Sequence, residues 1–377
     1  MPAVESVRPA GQPEPLFVCG NARGGTTLLV WLLDGHPDLF VLPTETQIYP
    51  ALATRLPARW LLRVAEVAEW RRGVVLLANP TLARFSFGGR KALADRLRLW
   101  AREYPASSSL GDEAIDAAAM RVHGPHQYWC AFLDVFSQFT GITLNGKRYW
   151  VEKTPGAERY AAVSDVWCSH SCRFLHVIRD PRDFIASTLL RTTRLRGIEH
   201  RGREIVRLCS TWSRSVAWCL HGVRTIAGRY HALRYEDMAR DPKRIMEAVC
   251  ALIEIPMHAH LLTATRMGEP IRLNSSDLAA TGSLGEIVTS RIGRFSESLS
   301  AAELECIERL LGAQMKACGY QPLNAAVSAS ASILDGFDPD ARRHRRTRLR
   351  ALTIARRQGA WRGSTVPLIG RHSTDRP

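Results

Sequence analysis

Leu16-Phe17-Val18-Cys19-Gly20-Asn21-Ala22-Arg23-Gly24-Gly25-Thr26-Thr27-Leu28 decides how this chain folds. Four apolar residues closed by a glycine predict a short buried strand, and the apolar run from Thr27 to Leu33 is long enough to open a helix. Between them lies a loop of small residues, in which the backbone can close around an anion. Amides at a helix N-terminus point at such a ligand, the helix dipole adds partial positive charge, and the Arg23 guanidinium can fork onto phosphate oxygens. A phosphate-bearing ligand is the expectation.

The same strand-to-helix grammar recurs downstream. Arg173 to Ile178 reads as a second buried strand, and Asp180-Pro181 supplies an N-cap and a first-turn proline for the helix behind it. Ile205 to Ile226 carries Cys209, Trp212, Val216, Leu220 and Val223 at helical spacing, with Trp212 and Trp218 read as core. A strand over His231–Arg234, a helix from Asp241-Pro242 to about Glu254, and a closing helix capped by Ser300 and Glu303 follow. Alternating strands and helices predict an α/β fold, a single P-loop-like domain over residues 15–325 with a mostly parallel central sheet flanked by helices. Residues 52–146 read as a helical cap insertion, clearest where Trp129, Phe132, Leu133 and Phe136 share one helix face. Residues 1–14 read as a flexible lead-in.

Composition narrows the class. The chain has 377 residues, 46% hydrophobic and 23% charged, which excludes a disordered or collagen-like polymer. Neither a signal core nor an apolar run of membrane-spanning length occurs, so a cytoplasmic location is expected. The net charge of +15 is uneven: from Ala341 on, eleven Arg stand against one Asp, leaving only +5 for the rest. Residues 326–377 therefore read as a disordered, Arg-rich tail, solvated in preference to lying on an anionic membrane. The nine cysteines are odd in number and sit among apolar neighbours, as reduced core thiols do; Cys168 and Cys172 flank His170, but no second pair is spaced to complete a metal site.

The loop has the G-x-x-x-x-G spacing of a nucleoside-triphosphate loop, yet Thr26 stands where that motif requires lysine, which disfavours a kinase or ATPase. Arg23-Gly24-Gly25-Thr26-Thr27-Leu28 instead resembles the first signature of sulfotransferases that use 3′-phosphoadenosine 5′-phosphosulfate. Ile178-Arg179-Asp180, followed eight residues after the Arg by Ser187, resembles the second. Glu152-Lys153-Thr154-Pro155, Arg234-Tyr235-Glu236-Asp237 and Ser290-Arg291-Ile292-Gly293-Arg294-Phe295 resemble further segments, so the likeness spans about residues 15–322, closest in style to the protein-tyrosine and bacterial branch.

That resemblance implies a sulfuryl transfer to an acceptor hydroxyl. It assigns the donor to Arg23, Gly24, Gly25, Thr26, Thr27, Leu28, Arg179, Ser187, Tyr235 and Arg291, with Arg179 and Ser187 on the 3′-phosphate. It implies Glu45 as the base, in a Thr44-Glu45-Thr46 segment, with His36 as the alternative. Lys153 and Arg23 would steady charge developing on the leaving phosphate, fixed cations serving in place of a metal. A small metabolite, sugar or lipid is favoured as acceptor over protein tyrosine, because the tyrosine branch sits behind a membrane anchor. No nucleic-acid partner is expected; a non-catalytic nucleic-acid binder using the basic tail is the rival from another class, and nothing in the chain specifies an oligomeric state.

Overall fold

The computed structural model describes residues 12–43, 45–46, 48–49, 89–103, 111–122, 125–197, 199–271, 283–323 and 337–370. Most of the expected lead-in, cap residues 52–88 and tail residues 326–336 and 371–377 lie outside them. In chain order the elements are β1 (Glu14–Gly20), α1 (Thr26–Leu33), β2 (Leu39–Val41), α2 (Gly89–Glu103), α3 (Asp112–Met120), α4 (Pro125–Thr140), β3 (Tyr149–Lys153), α5 (Ala161–Trp167), β4 (Arg173–Ile178), α6 (Pro181–Arg196) and α7 (Arg201–Thr225). Then come β5 (Tyr230–Arg234), α8 (Tyr235–Arg240), α9 (Pro242–Ile253), the short pair β6 (Thr265–Arg266) and β7 (Glu269–Pro270), α10 (Ala301–Ala317), α11 (Pro339–Arg343) and α12 (Arg345–Gln358). Five strands make one mostly parallel sheet in the order β2-β3-β1-β4-β5. β1 and β2 both run parallel to β3, with Val18 opposite Lys153.

Caps fall where the sequence places them. Asp180 accepts from the Arg182 amide ahead of α6, Asp241 from the Arg244 amide ahead of α9, and Ser300 with Glu303 forms the reciprocal capping box of α10. Each satisfies backbone donors that a helix N-terminus cannot pair internally.

The described residues fall into two compact units, one drawn from Met1–Cys19, Leu33–Phe174 and Arg266–Gly268, the other from Gly20–Leu32, Leu175–Thr265 and Glu269–Pro377. In the first, the Trp129 ring of α4 lies 5.3 Å from Phe17 of β1 and 5.9 Å from Trp150 of β3, so this helix packs on the sheet. The apolar stripe recognised in the sequence is the reason: Trp129, Phe132, Leu133 and Phe136 are all buried.

The second unit includes part of the segment read as a tail: residues 337–370 hold α11 and α12, and α12 packs on α7 and α10 through buried Thr347, Ala351 and Ile354, an i, i+4, i+7 stripe hidden among arginines. The Gln358 side-chain oxygen accepts from the amides of Ala313 and Gln314, Trp361 is buried, and the Ile369 amide donates to Ala232 of β5 at 2.7 Å. At the start of α7, Gly202 leaves room for Asp338, whose carboxylate accepts from the Gly202 amide at 3.1 Å; a Cβ there would sit 2.2 Å from it. Trp212 is buried as expected, whereas Trp218 is partly exposed. Among the described residues, no helix is long and apolar enough to cross a membrane.

Truncation at residue 336 is expected to lower unfolding stability by on the order of 5 kcal/mol, because burying Ile354 and Trp361 alone contributes about 1.5–3 kcal/mol each. A urea melt unchanged by the truncation would show that the tail is not part of the fold.

Candidate active site

The second unit brings the loop after β1, the end of β4 and the Arg291 segment together at one corner. The loop after β1 places Arg23 at φ 71°, a left-handed conformation that costs a non-glycine residue energy and persists only where surrounding contacts hold it. Those contacts are present. Arg179, at the carboxyl end of β4, donates from Nη1 to the Arg23 carbonyl at 3.1 Å and from Nη2 to the Arg291 carbonyl at 2.9 Å. Its own carbonyl accepts from Trp212 Nε1 at 2.8 Å. The guanidinium lies 4.6 Å from the centroid of Tyr235, whose phenol is pushed up by burial, and Nε of Arg179 is buried without a hydrogen-bond partner.

Tyr235 also forms the floor of the loop. A Cβ on Gly25, which sits at φ +96°, would come within 2.3 Å of the Tyr235 ring, so only glycine lets the loop lie on that face. Thr26 and Thr27 then open α1, where the Leu28 and Leu29 amides donate to the Gly25 carbonyl at 3.0 and 3.3 Å. Arg23 donates through Nε at 3.2 Å and Nη2 at 2.8 Å to Ser187 Oγ, on α6. The two signatures, 164 residues apart, thus meet at one hydroxyl, although the sequence reading sends Arg23 and Ser187 to opposite ends of the donor. Asp183 holds the late segment against α6, accepting from the amides of Gly293 at 2.7 Å and Phe295 at 3.0 Å. Asp180 is engaged as a cap and in a 2.7 Å ion pair with Arg182, which also reaches Glu308.

The first unit brings Glu45 and Lys153 together. Lys153, the last residue of β3, lies 2.9 Å from a Glu45 carboxylate oxygen, with both side chains partly exposed. Neighbouring groups fix the Glu45 backbone. Arg96 of α2 donates to the Glu45 carbonyl at 2.7 Å, and Tyr128 donates to the Thr46 carbonyl at 2.8 Å. Behind the pair, Glu152 is fully buried and accepts four hydrogen bonds: from the Thr46 amide at 3.2 Å, from the Thr46 hydroxyl, from Thr154 Oγ1 at 2.8 Å and from Trp129 Nε1 at 2.8 Å. Burial pushes its carboxyl up, and the hydrogen bonds from Thr46, Thr154 and Trp129 oppose that shift.

His36, the alternative base, is buried in the turn before β2, its Nδ1 accepting from the Asp38 amide at 3.0 Å. Cys168 and Cys172 are buried thiols, and His170 instead meets Asp165 at 3.0 Å. No group of metal-ligating side chains occurs among the described residues. Sequence reasoning passed over Glu152, Thr46, Trp129, Tyr128, Arg96 and Asp183. Glu152 alone had a legible signal: a carboxylate inside the apolar strand Tyr-Trp-Val-Glu-Lys requires partners.

Comparison with known proteins decides the family. A family model described as "Sulfotransferase family" matches residues 15–259. The chain belongs to the sulfotransferase family. Carbohydrate sulfotransferase 1 of Homo sapiens is 30% identical over 101 residues, 24% of this chain and 25% of that protein, as is the Rattus norvegicus protein of the same name. The matched segment therefore spans about a quarter of these relatives. Among solved sulfotransferase structures, the domain of the Synechococcus PCC 7002 olefin synthase is 19% identical with a TM-score of 0.49, covering 78% of this chain and 91% of that one. Sulfotransferase STF9 of Mycobacterium avium is 18% identical with a TM-score of 0.42, covering 83% of this chain and 78% of that one.

Glu152→Gln is expected to cost about 1–3 kcal/mol, since an amide nitrogen must face the Trp129 N–H and leaves a buried donor unpaired. The sign with pH follows from the raised carboxyl: the folded chain holds this proton more tightly than the unfolded one, so Glu152's contribution declines as pH rises from the ordinary carboxylate range through the raised value. Denaturation of wild type and E152Q across pH 4–8 checks both; parallel curves of equal stability would refute the assignment.

Proposed function

We propose that this sulfotransferase moves a sulfuryl group from 3′-phosphoadenosine 5′-phosphosulfate to a hydroxyl of a small metabolite, sugar or lipid. The observation that carries the reading is the convergence of Arg23, Arg179, Ser187, Tyr235 and Arg291 on one corner, with a buried Arg179 Nε that hydrogen-bonds nothing. A buried, unspent cationic donor beside a glycine loop and a helix N-terminus fits an anionic cosubstrate. Gly24, Gly25, Thr26, Thr27 and Leu28 would offer backbone to the 5′ side, with Arg179 and Ser187 on the 3′-phosphate and Tyr235 and Arg291 beside them. Bound there, the donor supplies a sulfuryl group on a phosphate leaving group.

The chain's own groups do the rest. Glu45 accepts the proton of the acceptor hydroxyl as that oxygen attacks in line. Lys153 and Arg23 set fixed positive charge where the bridging oxygen gains negative charge, and a site already polarised costs no reorganisation during the reaction. Transfer of a sulfuryl group moves less charge than a triphosphate carries, so these cations serve where kinases recruit magnesium. Within the acceptor class, the carbohydrate named for the human relative favours a sugar hydroxyl. Protein tyrosine is disfavoured.

Binding tests the reading first. Saturating 3′,5′-adenosine bisphosphate should raise the melting temperature well above the shift given by AMP, a ligand at 100 times its Kd contributing about 2.7 kcal/mol. Ser187→Ala should weaken the bisphosphate by about tenfold and leave AMP unchanged, as the loss of one hydrogen bond to a charged group predicts. Equal shifts for the two nucleotides would sink the 3′-phosphate site. Glu45→Gln and Lys153→Ala should each cut turnover on the order of 10² to 10³ while preserving the bisphosphate shift. Turnover should persist in excess chelator, and its abolition there would require a metal.

A further inference from the structure

We propose that the outward face of α12 is a docking surface for an anionic bilayer. None of its residues is among those assigned to catalysis. The helix Arg345–Gln358 carries Arg345, Arg346, Arg348, Arg350, Arg356 and Arg357, all exposed, and no acidic residue. Elsewhere in the same unit, arginines find carboxylates even in partly exposed positions: Arg201 with Glu303 at 2.6 Å, Arg207 with Glu204 at 2.5 Å, Arg294 with Glu297 at 2.9 Å and Arg309 with Glu305 at 2.5 Å. On α12 none of the six guanidinium groups makes an ion pair or hydrogen bond within the described residues. The nearest acid in sequence, Asp340 of α11, is engaged by Arg203 and by His200.

That concentration works against the helix itself. Arg346 and Arg350 repel at i, i+4, and Arg345 and Arg346 occupy the first turn, where the helix dipole disfavours cations. An external anionic surface relieves both. The apolar residues say which kind of surface it is. Thr347, Ala351 and Ile354 face inward, so at 100° per residue Leu349 and Leu352 lie on the opposite crest, flanked by Arg345, Arg348 and Arg356. They are 53% and 45% exposed, among the large hydrophobic residues left facing solvent. Nucleic acid would engage the guanidinium groups through its phosphates and leave those leucines unused. A bilayer with anionic headgroups takes both: phosphates meet the arginines and the leucines enter the headgroup–acyl boundary.

The test uses the full chain and vesicles of phosphatidylcholine with and without phosphatidylglycerol. The chain should co-sediment with the phosphatidylglycerol vesicles, fail to bind phosphatidylcholine alone, and release as salt rises from about 0.1 to 1 M and the screening length falls from about 10 to 3 Å. Arg346→Gln/Arg350→Gln should weaken partitioning by more than about tenfold, and Leu349→Ala/Leu352→Ala by severalfold. Both variants should keep the wild-type melting temperature and the shift by 3′,5′-adenosine bisphosphate. Should the arginine pair fail to fold, the exposed leucine pair carries the test. The proposal is overturned if phosphatidylglycerol gives no preference, if Leu349→Ala/Leu352→Ala leaves partitioning unchanged, or if duplex nucleic acid binds the surface and the vesicles do not.

Discussion

One guanidinium organises the corner where the loop after β1, the end of β4 and the Arg291 segment meet. Arg179 spends its two terminal nitrogens on carbonyls of the β1 loop and of the late Arg291 segment, lies over the Tyr235 ring, and keeps one buried N–H unspent. Because Tyr235 in turn supports Gly25, moving Arg179 would release the loop, the late segment and the aromatic floor together. The strained φ of Arg23 is held by this arrangement rather than by local preference. A cation that brackets backbone on two sides is pre-organised.

The surroundings of Glu45 and Lys153 follow the opposite logic, with a buried anion as the organiser. Glu152 gathers Thr46, Thr154 and Trp129 onto one carboxylate and thereby fixes the residues that flank Glu45 and Lys153. Such a carboxylate is costly when buried and is tolerated only when its lone pairs are filled. The price is a carboxyl pushed up by desolvation, and the result is a base segment whose carbonyls at Glu45 and Thr46 are also pinned, by Arg96 and Tyr128.

The packing of α12 is not legible in the composition of the C-terminal segment. Net charge dominated the sequence signal there, with eleven arginines from residue 341 on, and charge density ordinarily marks solvated chain. The stripe Thr347, Ala351 and Ile354 is narrow, and two of its members are small or polar. Its value as a packing face depends on α7 and α10 presenting a matching surface, which no local pattern reveals. For α4 likewise, the periodicity identified an apolar face, and only the contacts of Trp129 with Phe17 and Trp150 showed that this face lies on the sheet.

By itself the sequence determined what local chemistry dictates. The strands ending at Gly20, Ile178 and Arg234, the capped starts at Asp180, Asp241 and Ser300, and the Arg23–Leu28 and Arg179–Ser187 signatures are each written within a few residues, because capping, chain reversal and apolar periodicity act over one or two turns. Tertiary structure alone decided which groups meet: Arg23 with Ser187 across 164 residues, Thr46 with Glu152 across 106, and Asp338 with the Gly202 amide across 136. Hydrogen bonds and ion pairs reach about 3 Å whatever the separation in the chain, so their partners are set by how the layers pack and not by spacing in the sequence.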